Sequence, residues 1–254
     1  MLARSSNIQH PSGITIQTPV LVSSFSSKGF RFIKNGKKQQ SEAFELIQVT
    51  AEALTEAVLL SAYDLNHYYP SIKSFRNFSF APQVLFIDSG GYETLEDYDF
   101  SEAYRHPAKI KKWDLGLYEK VLAQWPPYYP AIIVSYDHGS ERRVDLRKQI
   151  ESAEKLRTKY PSHLIDFLIK PGKKGAMLDI NEIISNISLL KNFPIIGLTE
   201  KELGESILER MQNIKKVREA LDSVSNKAPI HLFGNLDPLS SVLYFLSGAE
   251  IFDG

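Results

Sequence analysis

The sequence predicts an α/β fold of the (β/α)8 TIM-barrel class, and three observations lead there. Eight short apolar runs rich in β-branched residues recur along the chain, and segments of helical period separate most of them. The length, 254 residues, sits near the roughly 250 typical of such barrels. Strands apolar throughout are buried on both faces, which requires a parallel sheet under helical cover.

The predicted strands are, in order, TPVLVSS (18–24), VLLSAYD (58–64), VLFIDSGG (84–91), AIIVSYD (131–137), LIDFLIK (164–170), PIIGL (194–198), APIHLFG (228–234) and AEIFDG (249–254). Amphipathic helices are expected over 140–160 and 206–221, where apolar positions fall three or four apart. Another begins at Asp237, an N-cap followed by Pro238 at the first helical position. The whole of 1–254 reads as one domain with two excursions. Residues 26–45 form a long loop or hairpin, and 93–130, with many aromatics and prolines, form a lid beside the third strand. No glycine-rich phosphate loop follows any strand, so a nucleotide-binding doubly wound sheet has no support.

Composition narrows the function further. Thirty Lys and Arg balance thirty Asp and Glu, so no global field draws a polyanion. A nucleic-acid footprint has to be local, at KNGKK (34–38), KIKKW (109–113), KPGKK (170–174) or KKVR (215–218), which read equally as solvated surface. The chain has no cysteine, which excludes thiolate zinc ligands and a thiol nucleophile within it. The N-terminus lacks the apolar core of a signal peptide, and no run approaches the ~18 apolar residues of a membrane span. A cytoplasmic protein with no membrane partner is expected.

A barrel of this class carries its active site at the C-terminal ends of its strands. The residues closing the apolar runs are Asp64, Asp88, Asp137, Lys170, Gly197, Gly234 and Asp253. Three acids stand out: Asp88 in FIDSGG, Asp137 in IIVSYDHGS and Asp253 in EIFDG. Each alone reads equally as a turn or helix cap. Together at one mouth they suit retaining glycosyl transfer, in which one carboxylate attacks an anomeric carbon and another manages the leaving group's proton. An ordinary Asp, with a pKa of about 3.9, donates poorly at neutral pH, so one of the pair needs a dry or like-charged environment. His138 reads as a loop residue, and no HxH or HExxH spacing supports a metal.

Six landmarks in order resemble the tRNA-guanine transglycosylase family, which swaps guanine in a nucleic acid for a 7-deazaguanine. TPVLVSSFSSKGF is similar to the family's TPxFMPVGTxG segment, FIDSGGYE to DSGGFQ or DSGGYQ, and IIVSYDHGS to the strand ending in a base-binding Asp. IIGLTEKELGES resembles the GGLxVGE turn, IHLFGNLDP the YLMGVGxP segment, and SGAEIFDG the GxDMFDC strand bearing the nucleophile. The resemblance implies Asp253 as nucleophile on the ribose C1′ and Asp88 as general acid/base. It implies Asp137 and the segment around Lys170 as readers of the base, Gly197 and Leu198 as backbone contacts, and Tyr92 and Phe233 as aromatic platforms around it. The glycines after Asp88 would leave room for a purine. Partners implied are tRNA, guanine or a 7-deazaguanine base, and a homodimer or partner subunit.

Departures are specific. Lys170 or Pro171 stands where the family has Gln, Glu93 follows DSGGY in place of Gln, and Ile196 replaces the first glycine of the GGL pair. The family's last helix, arginine-containing PTR segment and zinc subdomain, three cysteines and a histidine, have no counterpart after Asp253. No cofactor is therefore expected, and a truncated product or a completing partner chain is. Rival readings are a DNA transglycosylase, a non-catalytic accessory subunit, and an unrelated barrel hydrolase acting on a small glycoside.

Overall fold

A computed structural model describes residues 2–35, 38–50, 53, 56–69, 83–94, 110–127, 129–137, 144–173 and 175–254. Within them eight parallel strands close into a barrel: β1 (Val20–Phe25), β2 (Ala57–Ser61), β3 (Val84–Asp88), β4 (Ala131–Val134), β5 (Leu164–Ile169), β6 (Ile195–Thr199), β7 (Ile230–Phe233) and β8 (Ile251–Asp253). Their order around the barrel follows the chain, and β8 closes on β1 in parallel register, Ile251 opposite Val20 and Asp253 opposite Val22. All eight expected strands are present.

Around them lie α1 (Glu42–Thr50), α2 (Ala62–His67), α3 (Leu115–Gln124), α4 (Leu146–Lys159), α5 (Ile180–Ser185), α6 (Ile207–Ser223) and α7 (Pro238–Ser247). Five of these starts, those of α3 to α7, are fixed by side chains that satisfy the free N–H groups of a first turn. Asp114 accepts from Leu117, Asp145 from Lys148 and Ser206 from Glu209. The Asp237–Pro238 start is as the sequence indicates, with the Asp237 carboxylate on Ser240 N–H at 2.8 Å. No helix among the described residues is long and apolar enough to cross a membrane.

Strand side chains alternate between two apolar layers. One parity faces the helices; the other, including Val22, Leu59, Phe86, Val134 and Ile195, fills the barrel. An antiparallel hairpin, Asn7–Gln9 with Thr15–Gln17, closes the N-terminal end, a feature the sequence reading lacked. Its Ile8 and Ile16 join the interior layer, and His10 Nε2 donates to Ala131 O, the first carbonyl of β4, at 3.0 Å. Two polar residues share the interior parity and are wholly buried: Asp166, beside Val134 and Ile195, and His231, beside Ile251.

One expected boundary needs correction. The strand expected over 58–64 stops at Ser61, and Asp64 lies on α2. The run is apolar through the boundary and α2 is buried from Ala62 to Leu65, so periodicity had nothing to mark it. The 26–45 excursion is a 3-10 turn and a hairpin, Phe32–Asn35 with Lys38–Ser41, leading into α1. Of 93–130, residues 95–109 and 128 lie outside the described residues, as does His138; the segment's α3 belongs to the barrel's helical layer.

Candidate active site

The mouth is built from three strand ends. β3 runs apolar to Asp88, whose Oδ2 accepts from Gly90 N–H at 3.3 Å, and the chain then turns through Gly90 at φ +88. A Cβ on Gly90 would lie 2.8 Å from both Trp113 Nε1 and Tyr63 Cβ, and one on Gly91 2.9 Å from Asp137 Oδ1. The space these glycines leave is therefore taken by protein, which corrects the expectation of room for a purine. Trp113 Nε1 pins the turn by donating to Ser89 O at 2.9 Å.

The half-buried Asp88 carboxyl is pushed well above the ordinary carboxylate range. Loss of water does most of this; the negative charge of Asp137, Glu93 and Asp253 adds to it, against the Gly90 N–H. The same influences bring the three expected acids together electrostatically. Asp137 is buried beyond β4, takes the Ser89 hydroxyl on Oδ1, and has Lys170 Nζ 3.7 Å from Oδ2.

Lys170 is clamped as much as it is charged. Gln149 brackets its backbone, accepting from Lys170 N–H at 3.0 Å and donating to its carbonyl at 2.8 Å. Its Nζ donates to Thr199 Oγ1 at 2.5 Å and to Glu202 Oε2 at 3.4 Å. An ammonium so placed cannot offer the donor-and-acceptor pair of an amide, the group the resemblance puts here.

Asp253 closes β8 with a buried side chain. Gly234 N–H donates to its Oδ1 at 2.8 Å, and Asn235 N–H to its carbonyl at 2.6 Å. Among the described residues, the polar contacts of this carboxylate fall on Oδ1. His231 Nε2 lies 3.6 Å from the same oxygen, an ion-pair separation too long for a hydrogen bond.

The remaining expected residues divide. Tyr92 is 38% exposed at the rim with Lys28 Nζ 3.8 Å from its ring centroid. Phe233 is buried, one face against the His231 imidazole at 3.9 Å and 31°. Gly197 and Leu198 sit within the β6 ladder, paired on both sides. A Cβ on Gly197 would lie 2.7 Å from the Phe233 ring and 2.8 Å from Asp166 Oδ1, so packing inside the barrel requires this glycine.

Two residues the sequence reading passed over, His231 and Asp166, complete the site. His231 Nδ1 and Asp166 Oδ2 are 2.6 Å apart, and toward an ionised Asp166, which can only accept, Nδ1–H is the donor. Burial works against the imidazolium, but Asp166 and then Asp253 outweigh it and push His231 up to about 9. Burial likewise holds Asp166 above the ordinary range, with His231 opposing it. A second set ties the loops together: Glu93 accepts from Ser26 Oγ at 2.5 Å and Ser61 Oγ at 2.7 Å, and Asp64 from Ser27 N–H at 2.6 Å. Here an acid at 93, where the family has Gln, has two hydroxyl donors to accept from.

A cavity of about 240 Å³ lies between α3, α4 and the β4–β5 wall. Asp137, Lys170, Tyr136 and Gln149 line it; Asp88 and Asp253 do not. No group of three or more His, Asp or Glu side chains among the described residues is arranged to hold a metal ion. No protein-family model matches the chain, and no curated protein matches it.

Proposed function

We propose that the chain is a nucleic-acid guanine transglycosylase that exchanges a guanine for a 7-deazaguanine base, with tRNA as the polymer. One observation carries this: two carboxylates at one barrel mouth stand in different environments. Asp88 is pushed toward keeping its proton, and Asp253 is tethered on one oxygen by Gly234 N–H beside the His231 imidazole. That division supports acid/base work for Asp88 and nucleophilic attack by Asp253. The six ordered motifs supply the substrate class.

In the first half-reaction Asp253 attacks C1′, the C1′–N9 bond breaks, and the departing purine takes a proton from Asp88. In the second, the incoming base loses its proton to Asp88 and displaces the carboxylate from C1′. Asp137, with lone pairs beyond those used by Ser89 and Lys170, accepts from the purine N–H groups. The target nucleotide has to leave its stack to reach this mouth.

The test is incorporation of labelled guanine into bulk tRNA and, in separate reactions, duplex and single-stranded DNA, with Asp253→Asn as control. Incorporation into tRNA that is lost in the variant is expected. Incorporation into DNA alone selects the DNA enzyme; none into any polymer contradicts the proposal. The engagement of Asp137 by Lys170 favours a second reading, an accessory subunit that binds RNA without exchange. Saturable tRNA binding with no incorporation would select it.

A further inference from the structure

The barrel interior below the mouth holds a charged chain that neither half-reaction uses. Asp166 and His231 are each 0% exposed, on β5 and β7, where the neighbouring strands place Val134 and Ile195 beside the acid and Gly197 and Ile251 beside the imidazole. Burying two ionisable groups carries a desolvation cost that their mutual attraction need not repay, so such a pair is weak support for stability alone. Its geometry is directional. Asp166 takes Nδ1 at 2.6 Å, which leaves Nε2 toward Asp253 Oδ1 at 3.6 Å, and Nε2 has no hydrogen-bond partner although it is buried. Phe233 at 3.9 Å and Phe86, edge-on at 5.4 Å, fix the ring plane.

We propose that His231, anchored by Asp166, is a positioning residue for Asp253: with Gly234 N–H it holds Oδ1, so that Oδ2 is the oxygen presented to the anomeric carbon. This rests on the transglycosylase reading. The Oδ2 lone pair forms the bond to C1′ as C1′–N9 breaks and its electron pair leaves with the purine. When the incoming base displaces Oδ2, the C1′–O bond breaks and the electron pair returns to the carboxylate, where the imidazolium offsets the restored charge. The His231 proton stays on the ring throughout. A carboxylate free to rotate would present either oxygen and lose the alignment that displacement requires.

The test uses His231→Gln, which keeps a polar group in the barrel, and His231→Phe, which fills the space between Phe86 and Phe233. Each is compared with the full wild-type chain for base KM, kcat, and the rate constant of covalent-intermediate formation per trapped site. The expected result is a loss of about 100-fold in kcat and in that rate constant, with base KM within about twofold. A merely structural role would lower the trapped fraction and leave the per-site rate constant intact, and that outcome overturns the proposal. Should both variants fail to fold, nitrogen-15 NMR of the wild-type imidazole decides. A doubly protonated ring at pH 7.5 whose resonances move in Asp253→Asn supports the contact; a neutral ring, or one indifferent to Asp253, overturns it. Absence of exchange by the wild-type chain would instead overturn the transglycosylase reading, and the NMR result would still accept or reject the charged contact.

Discussion

Lys170 Nζ lies 3.7 Å from Asp137 Oδ2 and 3.4 Å from Glu202 Oε2, with only 5% of its side chain exposed. A buried cation between two acids leaves an uncompensated charge when removed. Lys170→Met is expected to cost about 3 kcal/mol, read as a lower urea midpoint at unchanged slope. Lys170→Gln should cost less, because an amide still donates to Thr199 and Asp137. An equal loss in both variants would show that the charge is not what Lys170 contributes.

Asp88 exchanges stability for chemistry. Its folded-state pKa is raised, so the folded form holds the proton more tightly than the unfolded one. The stability this contributes is full below the unfolded carboxylate value near 3.8 and is lost as pH rises through the folded value. At pH 8, well above the unfolded value, Asp88→Asn removes that cost and should raise Tm by about 2–4 °C, for a gain on the order of 1 kcal/mol. The same variant should lower base exchange at least ~100-fold. Calorimetry and the exchange assay on one sample check both.

His231 gives a second pH signature in a different window. With its pKa raised from 6.5 to about 9, its contribution to stability is complete below pH 6.5 and disappears as pH rises through about 9. Wild-type stability should fall relative to His231→Gln between those values and run parallel above them. Denaturant titrations at intervals across that range check the slope. A difference that grows with pH would place the proton elsewhere.

Two glycines with positive φ should behave differently. Gly90, at φ +88, has no room for a methyl beneath Trp113 and Tyr63, whereas Gly175, at φ +70, has nothing within 4 Å. Gly175→Ala should cost about 1 kcal/mol, the backbone strain alone. Gly90→Ala should cost on the order of 3 kcal/mol, because strain and overlap add. Equal costs in urea unfolding would mean that the Trp113 contact does not fix the turn.

The strands were legible because a strand buried on both faces is a continuous apolar run, and the sequence repeats that run eight times. The same continuity hid what matters inside. LIDFLIK reads as one strand with a tolerated charge, yet Asp166 shares parity with Leu164, Leu168 and Lys170; APIHLFG places His231 two residues before Phe233, at the same parity. Counting by twos back from Lys170 and Phe233, two of the expected base contacts, would have flagged both. Asp88, Asp137 and Asp253 were visible because each follows an apolar run at a strand end. Partners were not: Gly91 against Asp137, Phe233 against Gly197, and Ser26 on Glu93 are contacts between distant segments. The N-terminal hairpin, NIQ and TIQ around PSG, is too short to carry a period of its own.

The covalent step is the centre of the account, and mass spectrometry of the protein after reaction with tRNA and denaturation tests it most directly. The account predicts an adduct in which the peptide that holds Asp253 is joined through that residue to a ribose that has lost its base, formed by wild type and absent from Asp253→Asn. An adduct on any other residue, or base exchange that proceeds undiminished in Asp253→Asn, would contradict it.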